Sequence, residues 1–175
     1  MNNNKAIMLS VSDITKSDDV ILSIAQINTV IGKTPKGAIK TRPAKGGGTW
    51  NYVSGSYMKK RLNMLFGFNW DFEILSEQIL IEAGEVVVKG KLTCRANGAT
   101  IVKMQYGNKD IVFKRGTQTP LSIGNDLKAA ATDALKKCAA EIGIAQDVYA
   151  PQEFKDVEVV ADTEIVKSNA EKMKL

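Results

Sequence analysis

Val20, Ile21, Ile24, Ile27 and Ile31 recur at helical spacing. The pattern predicts an amphipathic helix that starts at Ser17-Asp18-Asp19 and stops at Gly32 and Pro35. Met58, Leu62, Leu65 and Phe66 predict a second, short helix with Lys59, Lys60 and Asn63 outward and Gly67 as its stop. Beyond Trp70 the period falls to two. Trp70 to Glu82, Glu85 to Ala96 and Thr100 to Tyr106 read as three strands joined at Ala83-Gly84 and Asn97-Gly98, the second a two-residue hairpin signal. In the middle strand Val86, Val88, Leu92 and Cys94 share one face, and Val87, Lys89, Lys91, Thr93 and Arg95 the other. One side is expected to be core, the other wet and basic.

Gly107 to Gly124 reads as a polar connection carrying Lys109, Lys114 and Arg115, long enough to hold a function or a further hairpin. A last helix runs from a cap at Asn125 or Asp126 to Gly143, with Leu127, Ala131, Ala134, Leu135, Cys138 and Ile142 on one stripe. Lys128, Thr132 and Lys136 lie together on another face, and Asp133 can pair with Lys137. Beyond Pro151 the charges rise and the aromatics fade. The expected organisation is an α+β fold, an antiparallel meander with packed helices, occupying residues 1–150 and followed by a charged, flexible tail, 151–175.

A chain of 175 residues, 44% hydrophobic and 25% charged, suits one folded domain. It has no run of about 18 apolar residues and no secretory signal, so a soluble, cytoplasmic protein is expected. His is absent, and Cys94 and Cys138 are the only cysteines. That excludes a paired Cys/His zinc site within one chain, and both thiols read as buried hydrophobes. The net charge is +5, unevenly spread: from Pro151 four Lys face six acids, −2, leaving 20 Lys and Arg against 13 Asp and Glu, +7, before it. A basic folded part suits a polyanion, nucleic acid or acidic lipid, or serves solubility alone.

Gly32-Lys33-Thr34 resembles the end of a phosphate-binding loop, but the first glycine that loop needs would fall at Ile27, inside the helical stripe. Pro35 would stand where its helix must begin. Without His, acid/base work falls to carboxylates or Lys, and Asp71, Glu73, Glu77, Glu82 and Asp110 are scattered at spacing that suits a solvated face. No catalytic residue, metal ligand or cofactor can be named, and an enzyme is not expected. Nucleic-acid binding does have residues to name. The stretch Arg42 to Tyr52, R-P-A-K-G-G-G-T-W-N-Y, combines cations for phosphates, glycines that let a backbone approach closely, and aromatics on which bases stack. Trp50 and Tyr52 could equally be core, and Gly46, Gly47 and Gly48 a plain loop.

The ordered set R-P-A-K-G-G-G…Y-V-S-G…L-N-M-L-F-G-F-N-W, a three-stranded meander, and A-A-T-D-A-L-K-K-C-A-A-E-I-G resembles the single-strand annealing proteins of the Rad52 type, phage recombination proteins among them. The resemblance covers about residues 40 to 150. It implies a β-β-β-α core in a ring-forming protomer that binds single-stranded DNA along a basic groove and anneals complementary strands without ATP, in recombination and repair. By position Arg42 matches the family's arginine before the glycines, and Lys136 the lysine of its T-D-x-L-K helix; Lys137 matches a further basic position. Lys45, Gly46, Gly47, Gly48, Lys128, Lys114 and Arg115 complete the candidate DNA-binding set. Lys45 is an extra residue before the glycines, and Ala140 stands where eukaryotic relatives carry a basic residue. Their long C-terminal half is missing, which leaves annealing as the expected activity. The expected partners are single-stranded DNA and further copies of the chain, with a phage exonuclease or a host single-strand binding protein also open. A non-annealing single-strand binding protein is the alternative.

Overall fold

A computed structural model describes residues 7–10, 21–44, 46–149 and 157–160. In chain order its elements are β1 (Ile7–Ser10), α1 (Ile24–Ile31), β2 (Ile39–Pro43), β3 (Thr49–Val53), α2 (Gly55–Phe66), β4 (Trp70–Leu80), β5 (Glu85–Ala96), β6 (Ala99–Asp110), α3 (Ile123–Ala140), α4 (Gln146–Tyr149) and β7 (Val157–Val160). The fold is α+β with antiparallel sheet, as the patterning predicts. Two compact units are present, 1–54 with 96–98 and 143–175, and 55–95 with 99–142.

The second unit holds the meander, with strand order β4-β5-β6. β4 and β5 pair antiparallel from Trp70↔Cys94 to Leu80↔Glu85, and Leu75 bulges between Ile74 and Ser76. Asn97 and Gly98 have φ of 51° and 79°, the two positive values that a tight turn between twisted strands requires. Val86, Val88, Leu92 and Cys94 are all buried on the inner face, and α2 adds Met58, Leu62, Leu65 and Phe66, the four residues its spacing selected. α3 lies along β6, with Ala130, Ala134, Leu135, Cys138 and Ala139 buried. Leu127 and Ala131 pack at the margin of Val86, Val88, Ile111 and Ala130. The approach is close at Gly107, where an added Cβ would stand 2.2 Å from both the Ala130 carbonyl oxygen and the Ala134 nitrogen.

Several boundaries differ from the expected ones. The third strand continues past Tyr106 to Asp110, because Gly107 is a strand residue beneath a helix rather than the start of a loop. The rest of that connection is a small hairpin: Phe113 bridges Pro120, Lys114 N–H donates to the Thr119 carbonyl at 2.9 Å, and Leu121 N–H to that of Val112 at 2.7 Å. α3 begins after Ser122, not at Asn125 or Asp126. Asp126 is buried and accepts the Val112 N–H at 3.3 Å, so its carboxylate serves the hairpin instead of a cap. Thr93, expected on the wet face, is buried too.

In the first unit, α1 starts at a capping box: Ser23 Oγ accepts the Gln26 N–H at 3.3 Å, and Ser23 N–H donates to Gln26 Oε1 at 2.8 Å. The expected start, Ser17-Asp18-Asp19, lies outside the described residues. Val30, Val53, Ile144, Ala145 and Val148 are buried. Val53 N–H donates to Tyr149 Oη at 3.2 Å, tying β3 to α4. β1 and β7 run parallel from Ile7↔Val157 to Ser10↔Val160. Four residues of the span expected as a tail therefore form a strand; the remainder of 151–175 lies outside the described residues.

Candidate nucleic-acid interface

β2 and β3 form an antiparallel hairpin with Lys40 opposite Tyr52 and Arg42 opposite Trp50. Directly paired residues share a face, and so do residues two apart along a strand. Lys40, Arg42, Trp50 and Tyr52 therefore occupy one face, a pair of cations on β2 beside a pair of aromatics on β3. Lys40, Arg42 and Trp50 are exposed, Trp50 at 61%. The Arg42 guanidinium lies 5.8 Å from the centroid of the Tyr52 ring, the diagonal neighbour across the ladder.

The glycines form the hairpin's turn. Gly47 N–H donates to the Ala44 carbonyl and Ala44 N–H to that of Gly48, both at 3.1 Å. Gly47 and Gly48 have φ of 93° and 78°, values that cost any residue with a Cβ. Among the described residues nothing lies within 4 Å of a Cβ built on Gly46, Gly47 or Gly48, so those residues leave the turn open to a molecule outside the chain. Lys45 lies outside the described residues.

Lys128, Lys136 and Lys137 project from α3 in the second unit. Asp133 holds Lys137 Nζ at 3.0 Å, the i, i+4 pair its spacing predicts, and Lys136 Nζ at 3.8 Å. The Lys136 side chain is only 18% exposed against 48% for Lys137. Lys128 is exposed, but the middle of its face is covered: a Cβ on Gly55 of α2 would stand 2.4 Å from Thr132 Cγ2. Lys114 and Arg115 are exposed at the tip of the small hairpin. The outer face of the meander is not the open basic surface its alternation suggested. Lys91 pairs with Glu73 at 2.8 Å, Arg95 with Asp71 at 2.7 Å, and Lys89 lies over the Tyr106 ring at 5.6 Å.

Lys40 lies outside the candidate set, and the sequence offers Trp50 only as a stacking aromatic or as core. Their signal is the alternation around the glycine turn, which puts residues an even number of positions from Arg42 and Tyr52 on the same side once the hairpin register is known. Gly32 closes α1, and Thr34 is buried, its N–H and Oγ donating to Asp147 at 2.9 and 2.6 Å. A hydroxyl engaged in this way is not part of a phosphate cradle. Cys94 and Cys138 are free and buried; burial pushes the Cys94 thiol up to about 12 and raises that of Cys138, which suits neither for nucleophilic work at neutral pH. Among the described residues no cluster of three His, Cys, Asp or Glu is placed to hold a metal, and no helix is long and apolar enough to cross a membrane.

Residues 23–166 match the Rad52/22 family double-strand break repair proteins. The match spans well over half of the chain, and the chain belongs to this family. No curated protein matches it.

Proposed function

We propose that this Rad52/22-family chain binds single-stranded DNA and anneals complementary strands without ATP or any other cofactor. It is neither a nuclease nor another enzyme, and it acts in recombination as a phage-encoded protein in the bacterial host cytoplasm. One observation carries the reading: an exposed hairpin face of two cations and two aromatics beside a turn open to a ligand, in a chain of a break-repair family. Arg42 and Lys40 hold phosphates, and the backbone at Gly46, Gly47 and Gly48 lets the sugar-phosphate chain approach. Lys136, Lys137 and Lys128 on α3, with Lys114 and Arg115, add phosphate contacts of their own. Bases held through their phosphates keep their pairing edges, so a second strand can search for register, and duplex stacking and pairing drive the reaction.

The chain works as a ring of many copies. Ile74, Leu75, Ile79, Leu80 and Ile81 are large, apolar and exposed along and just after β4, a strand whose other edge has no partner among the described residues. Such an edge is what a neighbouring copy covers. The test is the annealing of two complementary oligonucleotides without nucleotide, alongside light scattering on the protein. Faster annealing by a multi-subunit species supports the reading. A monomer that slows annealing favours the alternative, a single-strand binding protein that sequesters the bases.

A further inference from the structure

We propose that Trp50 stacks its indole on a base of the bound strand, next to the phosphate held by Arg42. The inference rests on the single-strand reading and adds to it a base contact. Arg42 and Trp50 are direct cross-strand partners, which sets their Cβ atoms about 4.5–5.5 Å apart on one face. A base lies one sugar away from its own phosphate. A guanidinium on that phosphate therefore leaves the base within reach of the adjacent indole.

Of the two aromatics on this face, Trp50 is the one with surface to offer. Tyr52 is half-buried, with the Arg42 guanidinium over its ring, whereas Trp50 is 61% exposed near the turn end of β3. An exposed indole can also mark a protein contact, but two cations on the same side favour a polyanion. Stacking uses the flat face of a base and is indifferent to its identity. The hydrogen-bonding edge stays free, so one indole per protomer steadies a base without withdrawing it from pairing.

Tryptophan emission makes the contact readable, since the other indole, Trp70, is half-buried and donates from Nε1 to Asn63 Oδ1 at 2.7 Å. The experiment titrates the full chain with an oligothymidylate and with an abasic deoxyribose-phosphate strand of equal length. The thymidine strand should quench wild-type emission. Trp50→Ala should abolish that quenching and weaken thymidine-strand binding by about 5- to 150-fold, the stacking worth of one base, while leaving abasic-strand affinity unchanged. Trp50→Phe, which keeps a ring, should retain most of the thymidine-strand affinity and of the annealing activity. If Trp50→Ala weakened both strands equally, or neither, in protein that bound DNA normally before substitution, stacking would be wrong and phosphate binding would stand. Wild-type protein that bound neither strand would overturn the single-strand reading itself.

Discussion

The Thr34 hydroxyl donates to Asp147 Oδ1 at 2.6 Å while the Thr34 N–H donates to Oδ2 of the same carboxylate. Two bonds to one charged acceptor tie the loop after α1 to α4 within the first unit. Thr34→Val removes one donor and leaves Thr34's buried site and the carboxylate half satisfied. The expected loss is about 1–3 kcal/mol, read as a lower urea midpoint with an unchanged slope.

Gly107→Ala tests the contact between β6 and α3. The new Cβ would strike backbone atoms of Ala130 and Ala134, which cannot swing aside as a side chain does. A cost of about 3 kcal/mol, the upper end for overpacking, should appear as a lower melting temperature. An unchanged melting temperature would mean that α3 does not sit on β6 as described.

Where local chemistry decides, the sequence was readable. Met58, Leu62, Leu65 and Phe66 were all selected by spacing and are all buried, and Asn97-Gly98 marked its turn because both residues tolerate positive φ. Starts of helices were harder. Ile21 continues the apolar period upstream of Ser23, and periodicity alone does not show the start that the Ser23–Gln26 capping box gives the helix Ile24–Ile31. Asp126 looked like a cap, but its partner, the Val112 N–H, lies 14 residues back and comes near only through the small hairpin. The charged face of the meander misled for the same reason. Lys91 and Arg95 look free in a one-dimensional reading, and their acids, Glu73 and Asp71, arrive from the neighbouring strand. At the candidate interface, the stretch Arg42 to Tyr52 already offers Arg42 as a phosphate contact and Trp50 as a stacking aromatic or as core; Lys40 and the shared face need the register.

Burial raises the Cys94 thiol from 9.0 to about 12. Below pH 9 the thiol is protonated folded or unfolded and adds no pH dependence. As pH rises from 9 toward 12 the unfolded chain ionises first, so the contribution of Cys94 to stability is lost across that window. Urea midpoints measured through it should fall for the wild type and fall less for Cys94→Ala. At neutral pH a thiol reagent should label neither cysteine until the chain is unfolded.

Arg42→Ala and Lys136→Ala should each weaken single-strand binding by about 1.5–3 kcal/mol, the range for hydrogen bonds to charged groups. Both should leave the fold intact, since Arg42 is exposed and Lys136 stands off the buried stripe of α3. Lys59, exposed on α2, is the control. Full affinity in both variants together with lost binding in Lys59→Ala would place the phosphate contacts elsewhere.

Salt dependence measures how many phosphates are involved. If each protomer neutralises about four, log K should fall by roughly three per decade of salt for each engaged protomer. Fluorescence titrations across a salt series give the slope directly. A flat line would reduce the basic residues to a solvated surface.

The meander ends in two unlike strands, β4 with its Leu75 bulge and β6 with α3 along it. In the ring proposed above, copies that continued one another's sheets across such edges would meet head to tail, and every junction would repeat the same rotation. Copy number is then an angle, with no residue that counts subunits. A change that alters the twist of β4 near its bulge should then change the circumference of the proposed ring without touching the proposed DNA-binding hairpin.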